Sequence, residues 1–253
     1  MRTIFGIQPV REAIRAHGSR AKQVVIESGE HPQLEALARF ARDQGIEVAT
    51  ATRADLDRQA RGVRHQGVMA SVPDLKITPL GELTIDARTL LLVLDEIQDP
   101  QNFGAVVRSA VAFNASAVVW AEHASAPLSA STFRASAGAI EHATLCRVTS
   151  LPNALQHISE LGVACIGLDA NGDVDLADVD LQGPVALVIG SEGKGLKRSV
   201  RRACARIARL PMGGPIGSLN ASVAAAITLY EARRQRGRDA SQSAPIGEAD
   251  TAP

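Results

Sequence analysis

The chain has few cysteines, few aromatic residues and no long apolar run in its 253 residues. Cys146, Cys165 and Cys204 are odd in number and show neither a CxxC motif nor Cys/His ligand spacing, so neither a disulfide framework nor a structural metal site is predicted. The longest apolar runs have about six residues, whereas a membrane-spanning helix needs roughly 20. The N-terminus also lacks the apolar core and cleavage site of a secretory signal. These absences predict a cytoplasmic protein with reduced thiols and no membrane partner.

Aromatic residues make up only 3% of the chain, and its charges balance, with 27 basic and 27 acidic side chains. The low aromatic content argues against a module that stacks successive bases on aromatic platforms. The charges are unevenly placed, because residues 194–209 contain seven basic and no acidic side chains, whereas five aspartates lie between Asp169 and Asp180. Such a basic run is either a solvated helix face or a surface for a phosphate backbone, and the sequence leaves both open.

Apolar periodicity divides the chain into two α/β halves. Up to residue 75, helices are predicted over 9–16, 32–44 and 54–59, and strands over 23–26, 46–49 and 67–72. Residues 76–88 form a linker in which Pro79 and Gly81 break regular structure.

The second half, residues 89–236, is predicted to contain strands over 90–95, 117–120, 144–148, 163–168, 185–189 and 207–210. Helices over 102–113, 129–137, 153–161 and 218–235 alternate with them. This alternation predicts a parallel sheet covered by helices. Residues 237–253 are rich in small and polar residues and are expected to be disordered.

Three segments of the second half combine glycine-rich turns with polar side chains, and each follows a predicted strand. They are residues 102–108 (NFGAVVR), 190–195 (GSEGKG) and 211–220 (PMGGPIGSLN). Turns after parallel strands are where α/β sheets bind ligands, so the three segments predict one composite site.

The glycine spacing excludes two common nucleotide-binding motifs. Residues 190–195 do not fit GxxxxGK[ST] or GxGxxG, and the strand at 90–95 leads into DEIQDP rather than into a glycine fingerprint. This pattern counts against a Rossmann dehydrogenase and against the common Rossmann-type methyltransferase. No GxSxG or HExxH motif supports a serine hydrolase or a zinc protease. A nucleotide-like ligand could still approach the backbone closely at Gly190.

Each polar residue of these segments also has a purely structural interpretation. Glu192 could be an exposed turn acid, and Asn102 and Ser218 are natural N-caps for the helices predicted to start there. Asn220 could bond locally. Arg108 lies in the apolar sequence AVVRSAV, where a buried guanidinium needs a partner, so a functional role is favoured over a solvated one.

The three segments resemble the motifs of the SPOUT-class RNA ribose 2′-O-methyltransferases of the TrmH type. The resemblance rests on NFGAVVRSA at 102–110, LVIGSEGKGL at 187–196, LPM at 210–212 and SLNASVA at 218–224, and it extends over nearly the whole ordered chain. Residues 5–13, 64–70 and 134–142 are similar to the RlmB branch, which methylates a guanosine in the peptidyl-transferase loop of 23S rRNA.

The resemblance implies an α/β methyltransferase domain at 89–236 with a parallel sheet and a deep trefoil knot, preceded by an L30e-like RNA substrate-binding domain at 1–75. It implies S-adenosylmethionine as the cofactor, 23S rRNA or the pre-ribosomal large subunit as the partner, and a homodimer through the methyltransferase domain. The implied cofactor-binding residues are Gly190, Leu210, Met212 and Leu219. The implied catalytic residues are Asn102, Arg108, Glu192, Ser218 and Asn220.

In this family the counterpart of Arg108 is assigned to activating the ribose hydroxyl, and it acts near the subunit interface. A guanidinium holds its proton firmly, so stabilising an alkoxide or gripping a phosphate fits its chemistry at least as well. Two alternatives to rRNA methylation stay open, namely a tRNA ribose methyltransferase of the same class and a non-catalytic rRNA-binding assembly factor.

Overall fold

The computed structural model describes residues 1–123 and 125–237, and its first half is built on a mixed four-stranded sheet. The elements of this half are β1 (Arg2–Phe5), α1 (Ile7–His17), β2 (Gln23–Glu27), α2 (Pro32–Asp43), β3 (Glu47–Ala51), α3 (Arg53–Ala60) and β4 (Val68–Val72). The strand order is β1-β4-β2-β3, with β2 parallel to β3 and β4 antiparallel to both of its neighbours. Helices α1 and α2 bury Ile14 and Leu37 in a core with Val24, whereas α3 packs Leu56 against Val25, which points to the opposite face of β2.

The second half contains a seven-stranded sheet in which every pair of neighbouring strands is parallel. Its elements are β5 (Leu90–Leu94), α4 (Pro100–Ala112), β6 (Ala117–Ala121), α5 (Ala130–Ala135), β7 (Leu145–Val148), α6 (Leu151–Glu160), β8 (Ala164–Leu168), β9 (Val174–Asp175), β10 (Val185–Ile189), α7 (Arg198–Ala203), β11 (Arg206–Arg209) and α8 (Ala221–Gln235). The strand order is β7-β6-β5-β10-β8-β11-β9. The predicted parallel α/β fold is therefore confirmed.

The central strands β5 and β10 are buried on both faces, which explains their continuous apolar sequences LLLVL and VALVI. Leu92 belongs to the core under α4 and α8, and its neighbour Val93 belongs to the core on the other face, under α6 and α7. This alternation fixes the register of the strands, because a one-residue slip would exchange the two faces.

Two helices have N-caps other than the predicted ones. Asp99, not Asn102, caps α4, since its carboxylate accepts the backbone N–H groups of Gln101 and Asn102, both at 3.2 Å. Pro100 then occupies the first helical position, where the missing N–H costs nothing. Helix α8 begins at Ala221 and is capped by Asn220, so Ser218 is not its N-cap.

Three elements lie where no element was predicted. Strand β1 carries only four residues and pairs at the edge of the first sheet, so it has no clear periodicity. Strand β9 has two residues. Helix α7 lies within the basic stretch and buries only Val200, so its sequence shows no apolar periodicity.

The two halves meet at a polar junction between α1 and the 3-10 helix at Ala139–His142. The buried carboxylate of Glu141 accepts hydrogen bonds from Arg2 and from His17 Nε2 (2.9 Å), and His142 Nε2 bonds to Glu12 Oε2 (3.0 Å). The backbones approach closely there, because a Cβ at Gly138 would lie only 2.7 Å from the Cβ of Glu12. The junction therefore holds the first half in a defined position on the second.

The three cysteines are free thiols, and burial raises the pKa of Cys146 and Cys165 to about 11 and that of Cys204 to about 12. Within the described residues, no helix combines the length and apolar character needed to cross a membrane. Disorder was predicted for residues 237–253, and all of these except Gly237 lie outside the described residues.

Candidate active site

The carboxyl ends of the central strands bring the polar segments to one edge of the large sheet. Strand β10 lies between β5 and β8, and the final residues Leu94, Ile189 and Leu168 are in register. The loops that follow these strands meet residues 210–220, which connect β11 to α8. This convergence is the position at which parallel α/β sheets bind ligands.

The carboxylate of Glu192 joins the first turns of two helices. Its Oε1 accepts hydrogen bonds from Asn102 Nδ2 (2.9 Å), from the side-chain amide of Asn220 and from the backbone N–H of Ala221 (3.2 Å). Asn102 lies in the first turn of α4 and Ala221 begins α8, so the positive ends of two helix dipoles face this carboxylate. The other oxygen, Oε2, has no partner among the described residues.

Asn220 connects the cluster to the loop before α8. Its Nδ2 donates to Asn102 Oδ1 at 3.0 Å, and its Oδ1 accepts the backbone N–H groups of Ser222 (2.9 Å) and Val223 (3.4 Å). One side chain therefore caps a helix and also orients the amide of Asn102. We refer to Asn102, Glu192 and Asn220 as the amide–carboxylate cluster.

A cavity of about 360 Å³ lies directly beside this cluster. The four predicted cofactor-binding residues all line it, namely Gly190, Leu210, Met212 and Leu219. Glu192 and Ser218 line it as well. The volume lies in the range of roughly 300–1,000 Å³ that is usual for small-molecule sites. The walls combine apolar side chains with the backbone of residues 190–195, which suits a nucleoside-like ligand.

Residues 190–195 need glycines because the two ends of this loop pack closely against each other. A Cβ at Gly190 would overlap the carbonyl group of Gly195. The chain turns back because Gly193 and Gly195 have positive φ values of 76° and 64°, and Gly195 N donates to Ser191 O at 3.0 Å. Gly190 therefore serves loop closure first, whereas the sequence suggested only close approach by a ligand.

A second, smaller cavity of about 190 Å³ adjoins the first and shares Ser191, Glu192, Lys194 and Ala221 with it. Its remaining walls come from Asn102 and from the loop after β5, residues 96–99. The amide–carboxylate cluster thus stands between two adjoining cavities, which is the arrangement needed to bring two ligands together.

The loop after β8 also lines the larger cavity, and sequence analysis missed its role. Leu168, Asp169, Ala170 and Asn171 all contribute to the wall. Asp169 Oδ1 accepts the N–H of Asn171 (2.9 Å), and Oδ2 pairs with Arg201 (3.2 Å). The available signal was positional, because Asp169 directly follows a buried parallel strand.

Two predicted catalytic residues do not join the amide–carboxylate cluster. Arg108 is exposed and makes no ion pair with a described residue, which contradicts the expectation of a buried, partnered guanidinium. It lies six residues beyond Asn102 on α4, about 9 Å along the helix and on a different face. Ser218 lines the larger cavity but is exposed and has no hydrogen bond to a described residue.

The basic stretch at 194–209 is partly neutralised by nearby carboxylates. Arg201 pairs with Asp169 (3.2 Å), Arg209 with Asp175 (2.7 Å) and Lys197 with Glu96 (2.7 Å). Two of these partners belong to the acidic stretch singled out in the sequence. Three of the seven basic side chains therefore serve local ion pairs.

The loop after β5 carries one buried acid. Asp95 Oδ2 accepts the backbone N–H of Lys197 at 2.7 Å, and burial raises the pKa of this carboxyl above its ordinary value of 3.8. Asp95 therefore ties the end of β5 to Lys197, the residue that precedes α7.

Together, the all-parallel sheet, the cavity at its carboxyl edge and the separate first half define a two-part α/β protein with a ligand-binding cavity in its larger part. The chain belongs to the SpoU rRNA methylase family, whose model matches residues 89–230. A second model, that of the RNA 2′-O ribose methyltransferase substrate-binding domain, matches residues 3–78.

Relatives and solved structures agree with this assignment. An uncharacterized tRNA/rRNA methyltransferase of Mycolicibacterium gilvum is 40% identical over 239 residues, which cover 92% of this chain and 76% of the relative. The AdoMet complex of the SpoU methyltransferase AviRb from Streptomyces viridochromogenes superposes with a TM-score of 0.75 at 27% identity, covering 92% of this chain and 90% of that one. The TrmH/SpoU tRNA-modifying enzyme of A. aeolicus covers 61% of this chain and 78% of its own, with a TM-score of 0.54 and 26% identity.

The protein is therefore an RNA methyltransferase that uses S-adenosylmethionine, as the resemblance predicted. The larger cavity fits this cofactor in chemistry, because its apolar walls suit an adenine ring and its exposed loop backbone offers hydrogen-bonding groups.

Proposed function

We propose that the protein methylates the 2′-hydroxyl of a guanosine ribose in the peptidyl-transferase loop of 23S rRNA. The observation that carries this proposal is the amide–carboxylate cluster between the two cavities, where a ribose could lie beside the cofactor. The matched substrate-binding model supports ribose 2′-O chemistry. The similarity of residues 5–13, 64–70 and 134–142 to the RlmB branch supports a guanosine of 23S rRNA as the modified nucleotide.

A ribose hydroxyl is a weak nucleophile until its proton leaves. The protein must therefore orient the hydroxyl, let its proton pass to solvent water and stabilise the developing charge on the oxygen. When bound, S-adenosylmethionine supplies an electrophilic methyl group on a sulfonium sulfur. Gly190, Leu210, Met212 and Leu219 would hold this cofactor through backbone and apolar contacts. The free Oε2 of Glu192 would accept a hydrogen bond from a ribose hydroxyl, and Ser218 would contact the same nucleotide.

Arg108 would act on the substrate from outside the cluster. A guanidinium keeps its proton at neutral pH, so its role would be to stabilise the alkoxide or to hold the adjacent phosphate. Its exposure and its position on another face of α4 support action from a second subunit.

A homodimer would also cover an apolar stripe on α8. Val223, Ile227 and Tyr230 recur at helical spacing with exposures of 44%, 41% and 57%, and Tyr230 packs edge-on against Phe113 at the end of α4. Charged substitutions at Ile227 and Tyr230 should give a monomer by light scattering if a second copy covers this stripe. An unchanged molecular mass would place the stripe outside any dimer contact.

The division into domains at 1–75 and 89–236, the L30e-like character of the first and the trefoil knot of the second belong to the same proposal. The knot is proposed because it belongs to the fold that the family membership implies. A reaction on ribosomal RNA would take place in the cytoplasm.

The direct test is to incubate the purified protein with labelled S-adenosylmethionine and, separately, unmodified 23S rRNA and tRNA transcripts, and then to map the methylated ribose. Methylation of one 23S guanosine at its 2′-oxygen is the expected result. Methyl transfer to tRNA alone would show that tRNA, and not 23S rRNA, is the substrate. Transfer to neither RNA, with cofactor binding intact by calorimetry, would call for a pre-ribosomal particle as the next substrate, and absent cofactor binding would favour an assembly factor.

The role of Arg108 has its own test. Arg108→Ala should lower kcat by about 100-fold or more, which is typical for the loss of one charge-stabilising group, and should leave the Kd for S-adenosylmethionine nearly unchanged. Arg42→Ala, an exposed arginine on α2, is the matched control. A comparable loss of activity and of cofactor affinity would contradict the proposed role.

A further inference from the structure

The first half of the protein contains a basic cavity of its own. It has a volume of about 420 Å³ and lies between the start of α3 and the loop at residues 61–67. The residues that line it are Arg53, Asp57, Gly62, Val63, Arg64, His65 and Gln66.

The loop at 61–67 is held in one strained conformation. Arg61 and Gln66 have positive φ values of 47° and 54°, which side chains other than glycine rarely adopt. His65 is 4% exposed and fixes the loop from within, because its Nε2 bonds to Asp57 Oδ1 (2.9 Å) and its Nδ1 accepts the N–H of Gly67 (3.0 Å). Strain of this kind persists only where the surroundings enforce it, and it concentrates at binding sites.

The charges around this cavity are mostly left without protein partners. Arg64 lines the cavity, and Arg61 directly precedes the lining residue Gly62. Both are exposed, and neither makes an ion pair with a described residue. Arg53 is 71% exposed on its side chain and lies 3.5 Å from Glu27, a long contact. The one carboxylate in the wall, that of Asp57, is already bonded to His65. Arg61 and Arg64 are therefore free to meet an anion, and Arg53 could join them because its contact with Glu27 is long and exposed.

We propose that Arg53, Arg61 and Arg64 form a phosphate-binding site for the RNA backbone, remote in sequence from the cofactor cavity. The proposal rests on the proposed RNA ribose methylation and names the surface through which the first half holds the substrate. Guanidinium groups bind phosphate in bidentate geometry, and a rigid loop loses little conformational entropy when it binds. The site reads no base, so it contributes affinity and register rather than sequence recognition.

The packing of the protein connects this loop to the catalytic helix α4. Gln66 Oε1 accepts the backbone N–H of Ile7 (3.1 Å) at the start of α1, and α1 is bound to Glu141 at the polar junction. The segment before Glu141 includes α5, which touches α4 closely enough that a Cβ at Gly104 would lie 2.5 Å from the carbonyl oxygen of Thr132. A phosphate held by the loop would therefore be kept at a set distance from Asn102.

The test compares Arg61→Ala/Arg64→Ala with Arg39→Ala/Arg42→Ala, which removes two exposed arginines from α2 in the same half. Fluorescence anisotropy would measure the Kd for a labelled transcript of the peptidyl-transferase domain of 23S rRNA over a range of salt concentrations. The first variant should raise this Kd by about ten-fold and reduce the slope of log Kd against log salt by about two, one for each lost phosphate contact. In methyl transfer, KM for RNA should rise while kcat at saturating RNA stays within two-fold.

The control variant should leave the Kd for RNA within two-fold, and calorimetry should show the same affinity for S-adenosylmethionine in all three proteins. Equal losses of RNA affinity in both variants, or an unchanged salt slope in Arg61→Ala/Arg64→Ala, would contradict the proposed phosphate-binding site. Failure of the wild-type protein to bind this RNA would also overturn it. Wild-type protein that binds the transcript but transfers no methyl group would refute the proposed reaction alone, because the binding comparison would still decide the site.

Discussion

Two carboxylates gather polar groups from distant parts of the chain, and they do so in opposite environments. Glu141 is 1% exposed on its side chain and receives two basic groups, Arg2 and His17, which are 14% and 11% exposed. Glu192 is exposed and receives only neutral donors, two side-chain amides and one backbone N–H.

The difference separates a structural site from a binding site. Arg2 and His17 both bond to Oε2 of Glu141, and the burial of this side chain leaves no room for a ligand to reach it. Glu192 keeps its charge and one free oxygen beside two cavities, and it is held in place without being neutralised. The following predictions test this distinction, from the largest expected effect to the smallest.

Glu141→Ala should lower the free energy of unfolding by about 3–5 kcal/mol, since it leaves two basic groups buried without a partner. Urea denaturation measures this change, with Glu160→Ala, which removes an exposed side chain from α6, as the control. A loss no larger than that of the control would show that the junction does not depend on this carboxylate.

Glu192→Ala should lower kcat by about 100-fold, because it removes the group that is proposed to orient the ribose hydroxyl. The thermal midpoint should change little, since the carboxylate is exposed and its donors can bond to water. Steady-state kinetics and thermal unfolding of the same preparation give both values. Destabilisation comparable to that of Glu141→Ala would remove the distinction between the two sites.

Asn102→Ala and Asn220→Ser should interact by about 0.5–1.5 kcal/mol in a double-mutant cycle on kcat/KM, because the two amides share one carboxylate. Serine at position 220 retains the cap of α8, which limits the loss of stability. Strictly additive effects would mean that the two amides act independently.

Asp95→Asn should leave stability at pH 7 equal to or above that of the wild type. Burial raises the pKa of Asp95 in the folded state, so the folded protein binds this proton more tightly than the unfolded chain. Wild-type stability is therefore favoured at low pH and decreases as the pH rises from about 4 through the folded-state pKa. The advantage of the variant should grow over that interval in thermal unfolding experiments, and it should be absent in Asp178→Asn, an exposed control.

The bounds of helices and strands were predictable from the sequence where the apolar periodicity was strong. The strand at 185–189 was predicted to the residue, and α6 and β8 were placed within two residues of their bounds. Sequence analysis failed at helix starts, because Asp99 and Asn220 compete with Asn102 and Ser218 as caps and only the backbone geometry selects between them. It also missed β1, whose four residues become a strand only through pairing with β4.

The candidate site was predicted as a set of residues but not as an arrangement. The glycine-rich segments pointed to the edge of the sheet at which the cavities lie, whereas the loop at 168–171 was missed because its contribution depends on the strand order. The exposure of Arg108 was not foreseen, since an apolar local sequence does not reveal which helical face meets solvent.

The sequence by itself determined the two-part α/β organisation, the resemblance to an RNA methyltransferase family and the residue types of the site, because periodicity and motifs are local properties. Tertiary structure alone decided that Glu192 receives Asn102 and Asn220, that Glu141 fastens the two halves together, and that the acidic and basic stretches partly neutralise each other. These contacts join residues tens of positions apart, and only the strand order and the packing of helices across the sheet bring them within hydrogen-bonding distance.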